Sequence, residues 1–393
     1  MDGERIKKLC DFYRRYLLEN CMNYWTAHAV DKEYGGYTTC LDRRWKVYNQ
    51  DKSIWFQGRG AWMFSRLFNE VEKKEEWLEA ARTGIGFLDG YGFDTDGRMY
   101  FQVTRDGKPL VKRRYVFSET FAVIAYAEYY RASGDETALL KAKGIFDMLM
   151  DLYNTPGSLK PKVNPEVRPM KGLALPMILL STARNLCDVS RDCRYADICR
   201  KMADTMLKDF YKPGLRAMLE TIGPGGETLD TPQGRCVNPG HSIEAAWFMM
   251  HEGLCQKDEE YIRAGMKILE DSLELGWDKE YGGIFSFIDI EGKPAEQLEW
   301  DMKLWWPHTE TLYALLLAYD ITRDEKYAGW YETLHEYAFS HFEDKSNGEW
   351  FGYLHRDGSM SNTFKGSMWK GMFHLPRALL LNYKLLDRML EKG

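Results

Sequence analysis

The hexapeptide DKEYGG occurs at Asp31–Gly36 and again at Asp278–Gly283, 247 positions apart. Six identical residues recurring in one chain point to an internal repeat, and the distance between copies must then hold a whole number of periods. The stretches downstream of the two copies are alike. GYTTCLD leads to SIWFQGRGAWMFSRLF after the first, and GIFSFIDIEG leads to KLWWPHTETLYALLLAY after the second. The same order of Gly turn, strand-like stretch, aromatic cluster and apolar helix returns in FDTDGRMYFQVTRDG before YVFSETFAVIAYAEYY, and in DKSNGEWFGYLHRDG before WKGMFHLPRALLLNY. Degenerate copies read RPMKGLALPMILLSTARNL and NPGHSIEAAWFMMHEGL. Six apolar helices therefore recur with a period of about 60 residues, with polar starts near Arg59, Glu119, Gly172, His241, His308 and His374.

Between them lie six amphipathic segments, such as KKEEWLEAARTGIGFLDGYG and DEEYIRAGMKILEDSLELGW. They carry apolar residues at i, i+3 and i+4 on one face and charge on the other. Several open on Asp or Glu, which suits the positive end of a helix. Helices that are apolar all round belong inside, and amphipathic ones belong outside. Alternation of the two kinds, six times over, predicts an (α/α)6 barrel with short β-hairpins in the loops leading to the inner helices. No Pro/Ser-rich linker divides the chain, so residues 1–393 read as a single domain.

A formal net charge of −6 with both signs mixed offers no basic face for nucleic acid. No apolar run approaches the roughly 20 residues of a membrane helix. The opening MDGERIKKLCDFYRRY lacks the apolar stretch of a secretory signal, so a cytoplasmic location is expected. Eight cysteines are scattered without a C-x-x-C pair, and the even spacing of Cys187, Cys193 and Cys199 does not match zinc ligands. No metal site is expected.

In such a barrel the starts of the inner helices converge on one mouth. The chemistry expected there comes from WFQGRGAW, YVFSETF, NPGHSIEAAW, LWWPHTE and WKGMFHLPRA. They bring together His241, His308 and His374 with Arg59, Glu119, Glu244, Glu310 and Arg377, beside Trp55, Trp305, Trp306 and Trp369. Flat aromatic faces with forked polar groups suit a sugar cleft. The positive end of a helix disfavours imidazolium, so a histidine there tends to be the neutral ring that a general base requires. One such base on each face of a carbon acid can remove a proton from one side and return it to the other. His28, His251, His335, His341 and His355 lie on later turns, outer helices or loops and read as packing or surface residues.

NPGHSIEAAW, QLEWDMKLWWPHTE, GEWFGYL and KGMFHLPR resemble the distinctive blocks of the N-acylglucosamine 2-epimerase family, with WFQGRGAWM and TRDGKP…FSETF extending the likeness from about Trp25 to Arg377. The resemblance implies an (α/α)6 barrel and interconversion of N-acetylglucosamine and N-acetylmannosamine at carbon 2. It implies that His241 and His374 are the acid/base pair. Arg59, Glu244, Glu310 and Arg377 become supporting groups, and Trp55, Trp305, Trp306, His308 and Trp369 line the sugar site; Gln57 and Glu119, in the same inner-helix starts, are expected to bind substrate beside them. It implies no cofactor for the chemistry, an ATP-type nucleotide as a non-consumed activator, and a homodimer. Lys160, Lys162, Arg168 and Lys171 form a basic loop able to hold phosphates. Related cellobiose enzymes carry a further histidine on the third inner helix, where this chain reads RPMKGLALPM. An epimerase or isomerase of mannose or cellobiose, a glycoside hydrolase on the same barrel, and a protein-binding module remain the rival readings.

Overall fold

The computed structural model describes every residue except Arg114, Lys162 and Gly393. Twelve main helices are found among the described residues. Odd-numbered ones are outer and even-numbered ones inner. They are α1 (Gly3–Arg15, continuing through a π-helical turn Tyr16–Met22 into Asn23–Ala29), α2 (Ile54–Glu70), α3 (Glu75–Tyr91), α4 (Phe117–Ser133), α5 (Glu136–Asn154) and α6 (Ala174–Ser190). The second half is α7 (Arg194–Thr205), α8 (Pro239–Gln256), α9 (Glu259–Gly276), α10 (Trp305–Thr322), α11 (Glu325–His341) and α12 (His374–Lys392). This is the (α/α)6 barrel expected from the alternation.

Local chemistry fixes the ends. The side chains of Asp2, Asp135, Asp258 and Asp324 accept from backbone N–H groups in the first turns of α1, α5, α9 and α11. Four of the inner helices stop where a residue turns left-handed, at Gly134, Arg191, Lys257 and Arg323. Burial sorts the two rings as the sequence does: α10 is buried almost continuously from Trp305 to Tyr319, whereas α9 buries one face. The ring closes where α1 packs on α12, with Cys10 Sγ 3.9 Å from the Tyr383 carbonyl, and where Trp62 meets Phe373 at 5.3 Å between ring centroids.

The hexapeptide explains how the mouth is laced. Gly35, Gly36, Gly282 and Gly283 all have φ between 67° and 75°, a left-handed backbone that suits glycine. In each copy the Asp carboxylate also ties three elements together. Asp31 Oδ1 accepts from the Glu33 and Tyr34 amides, while Oδ2 takes Lys52 Nζ at 2.9 Å and Arg105 Nε at 2.8 Å. Asp278 repeats this with Glu280, Tyr281, Lys303 at 2.9 Å and Arg356 at 2.9 Å. A third copy joins Asp344 to Ser346, Lys365 at 2.8 Å and Arg43 at 2.9 Å. In each case the lysine precedes the next inner helix and the arginine comes from the following repeat. Arg43 therefore links the last repeat to the first. Two-residue strands reinforce the lacing: Lys52–Ser53 pairs with Gln102–Val103, Lys171–Gly172 with Thr221–Ile222, Cys236–Val237 with Ile288–Asp289, and Lys303–Leu304 with Tyr353–Leu354.

Candidate active site

At the mouth, α8 and α12 each present a histidine in the first turn. Asn238 caps α8 by accepting from the His241 amide at 3.1 Å, and His374 opens α12. His241 Nδ1 lies 3.0 Å from Glu220 Oε1, and His374 Nδ1 lies 2.8 Å from Glu310 Oε1. A carboxylate can only accept, so each Nδ1 carries the hydrogen and each Nε2 is left for the cleft. Neither Nε2 is bonded by a described residue. Both rings lie against one indole: the Trp306 ring centroid is 5.0 Å from that of His241 and 5.6 Å from that of His374. Gly240 permits this approach, since a Cβ there would come within 2.6 Å of the Trp306 ring.

The two dyads differ in charge. Behind His374, Glu310 Oε1 also takes Arg377 Nη2 at 2.7 Å and its Oε2 accepts from Trp247 Nε1 at 3.0 Å; Arg377 Nη2 reaches Glu244 Oε1 at 2.6 Å. Burial first, then the positive fields of Arg59 and Arg377, hold His374 well below the usual histidine range. His241 goes the other way. Burial pulls it down, but Glu220, with Glu244 and Glu310 behind it, leaves its affinity for a proton raised. Glu220 has no cation on it among the described residues, which is why it acts on His241 as a full negative charge.

Arg59 completes the floor. It is buried, its guanidinium carbon sits 4.0 Å from the Phe121 ring centroid and 4.5 Å from that of Phe373, and no described residue accepts a hydrogen bond from it. Burial, then repulsion from Arg377, pushes it down to about 9, so it remains cationic at neutral pH. A buried cation in an apolar sleeve without an acceptor is prepared for an oxygen that gains negative charge. One wall is aromatic. Trp55 packs edge-on against Phe101, Phe117 and Trp369, and Trp369 is 46% exposed. Glu244, Glu310 and His374 place ligand atoms within 4.8 Å of one another, a spacing a metal ion would tolerate, but Arg377 donates to both carboxylates there.

Four expected sugar-site residues are placed elsewhere. Gln57 is fully buried, accepts from the Tyr37 amide at 2.7 Å and donates to the Tyr37 carbonyl at 2.9 Å. His308 is equally buried, accepts from the Ile284 amide at 3.0 Å and stacks on Tyr337, with burial holding it down to about 3. Glu119 accepts from the Met99 amide at 3.0 Å and from Arg98 at 2.6 Å. All three face outward and clamp the hairpin that feeds their own helix. Trp305 is buried behind the site, edge-on to Tyr353 and 6.3 Å from His374. In the basic loop Lys160 is exposed, Lys171 pairs with Asp209 at 2.6 Å, and Lys162 lies outside the described residues. Glu220 was not anticipated. It sits on the hairpin before α8, 21 positions upstream of His241, close to the spacing that joins Tyr37 to Gln57.

A model of the N-acylglucosamine 2-epimerase (GlcNAc 2-epimerase) family matches residues 35–378. The N-acylglucosamine 2-epimerase of Bos taurus is 36% identical over 385 residues, covering 95% of this chain and 90% of that protein. The protein of that name from Homo sapiens is 35% identical over 387 residues, covering 95% and 90%. Among solved structures, the cellobiose 2-epimerase from Bacillus thermoamylovorans B4167 superposes with a TM-score of 0.85 at 21% identity, covering 98% of this chain and 100% of that one.

Proposed function

The chain belongs to the N-acylglucosamine 2-epimerase family, and from that premise we propose that His241 and His374 exchange the proton on carbon 2 of an open-chain N-acyl hexosamine, interconverting the gluco and manno epimers. The observation that carries this reading is the pair of imidazoles, each oriented through Nδ1 by its own carboxylate and each with Nε2 free toward one shared cleft.

The aldehyde of the open-chain sugar acidifies the carbon-2 hydrogen. The histidine held neutral takes that hydrogen on Nε2, and the electron pair moves onto the carbonyl oxygen. Arg59, already buried and without an acceptor, stabilises the oxygen as it becomes negative. The histidine held protonated delivers its hydrogen to the other face of carbon 2. With His374 pushed down and His241 raised, His374 is the better disposed of the two to be the base and His241 to be the acid. The protein therefore takes up the epimer whose carbon-2 hydrogen faces His374. The product leaves the proton on the opposite histidine, and the pair must re-equilibrate before the next turnover.

An N-acyl hexosamine is preferred over an unsubstituted disaccharide. The relatives named for N-acylglucosamine are 35–36% identical, against 21% for the cellobiose enzyme, and the start of the third inner helix is apolar, with Leu173 just before it and Met177 in its first turn. Glycoside hydrolysis is disfavoured because it needs two carboxylates free to flank a bond, whereas Glu244 and Glu310 share Arg377. A nucleoside triphosphate as a non-consumed activator, with Lys160 as one phosphate contact, and a cytoplasmic homodimer belong to the same proposal; rate against ATP concentration and light scattering test them. The central test is incubation with N-acetylmannosamine in deuterated water. The carbon-2 proton signal should vanish as the gluco epimer appears; an unexchanged sugar would overturn the reading.

A further inference from the structure

One of the three Asp–Lys–Arg ties belongs to a repeat that departs from the others. Five positions after the tie lysine stands the hairpin clamp: Gln57 after Lys52 and His308 after Lys303. Five positions after the tie aspartate stands a left-handed glycine: Gly36 after Asp31 and Gly283 after Asp278. In the third repeat the clamp position is Lys370 and the glycine position is Glu349. Glu349 keeps the left-handed backbone, with φ 58°, where a side chain is strained. Both side chains are fully buried and form an ion pair, and Glu349 Oε2 also accepts from the Trp350 amide at 2.7 Å. A lysine cannot accept that amide, so the glutamate stands between them. Two departures from the repeat have therefore occurred together.

The helix departs at the same place. The inner helix begins two residues after the tie lysine in the other copies, at Ile54 and Trp305. Here that residue is Ser367, yet α12 begins only at His374. The intervening turn is held open by bonds made elsewhere. The Gly366 carbonyl accepts from the Leu41 amide at 3.2 Å and from Tyr48, and the Ser367 carbonyl accepts from Thr39. Lys370 Nζ donates to the Lys365 carbonyl at 2.8 Å, and Ser367 Oγ accepts from the Trp369 and Lys370 amides. The opened turn carries Trp369 to the rim and gives His374 the first position of a helix, where the positive helix end opposes protonation. The equivalent positions in α2 and α10 are Ala61 and Leu312, inside the helix and apolar.

We propose that Glu349 and Lys370 are positioning residues: their buried ion pair keeps residues 366–373 unwound and thereby sets His374 and Trp369 in the cleft. This rests on the histidine chemistry proposed above. The repeat itself supplies the discriminating variant. Glu349→Gly with Lys370→Gln restores the neutral clamp of the other repeats, removes the backbone strain and removes both buried charges. A purely structural pair would be replaced without loss of turnover. We expect the double variant to unfold within a few degrees of wild type, yet to lose at least tenfold in kcat with KM changed less than threefold. The proton-NMR titration of His374 should move while that of His241 stays. Glu349→Gln, which removes only the charge, should lose kcat in the same sense. A folded double variant with kcat within twofold of wild type overturns the proposal. So does a double variant that cannot fold, since the pair would then serve the fold. Wild type failing to exchange deuterium at carbon 2 would instead overturn the proposed reaction, and the NMR titration would still read the positioning.

Discussion

At the residue scale the two histidines have the same partner type and opposite proton affinities. His241→Asn and His374→Asn should each abolish deuterium exchange at carbon 2 while leaving the thermal midpoint nearly unchanged, because both rings border the open cleft. Glu220→Gln tests the electrostatic difference. Glu220 raises His241, so removing its charge lowers the affinity of His241 for a proton. In the proposed mechanism His241 acts as the acid, so activity falls as pH rises through its titration. The alkaline limb of kcat/KM should therefore move to lower pH in Glu220→Gln, while the acid limb, set by His374 below 6.5, should stay. An alkaline limb that does not move would show that Glu220 does not govern His241. The sequence placed Arg59, His241, Glu244, Glu310, His374 and Arg377 together because inner-helix starts meet at one mouth. It did not separate them from Gln57, Glu119 and His308. Those residues lie in the same turns but point away from the axis, and a helix that is apolar all round carries no polar stripe to fix its phase. Glu220 was illegible for another reason: it arrives on a hairpin, and nothing local ties it to His241.

At the element scale the hexapeptide is a structural tie as well as a turn. Burial alone would raise the Asp278 carboxyl, but Arg356 and Lys303 hold it well below the usual carboxylate range. A depressed carboxyl stabilises the fold above its unfolded value of about 4, and the stabilisation is lost as pH falls through the folded value. Asp278→Asn leaves Lys303 buried without its anion, and breaking a buried pair in this way costs about 3–5 kcal/mol. Urea midpoints at pH 7 and pH 3.5 test both points. Asp278→Asn should lower the midpoint at pH 7, and its midpoints should differ less between the two pH values than those of wild type. The periodicity made the ties' positions readable in advance, but not the ties themselves. Lys52, Lys303 and Lys365 look like ordinary surface lysines until the hairpins fold over them. The late start of α12 was equally hidden, since KGSMWKGMF has no proline to stop a helix and its carbonyls are taken by residues more than 300 positions away.

At the scale of the whole molecule, the ring makes neighbours of residues at opposite ends of the chain. Arg43 stands to Asp344 as Arg356 stands to Asp278, each at 2.9 Å, although 301 positions separate the first pair and 78 the second. In an open stack of helical pairs the terminal units have one neighbour each and unfold ahead of the rest. In a closed ring every unit has two, and a link across the seam is equivalent to a link inside. Arg43→Met and Arg356→Met each remove the charge-assisted bonds of a partly exposed arginine to its aspartate while leaving a lysine on that aspartate, so each should lower stability modestly; Arg356→Met also loses an exposed contact to Glu280. The two variants should lower the urea midpoint by similar amounts, with tryptophan fluorescence and far-UV circular dichroism tracing one coincident transition in each. If Arg43→Met left the main transition in place and added an early phase confined to α1 and α12, the seam would be a loose end and the barrel closed in shape alone.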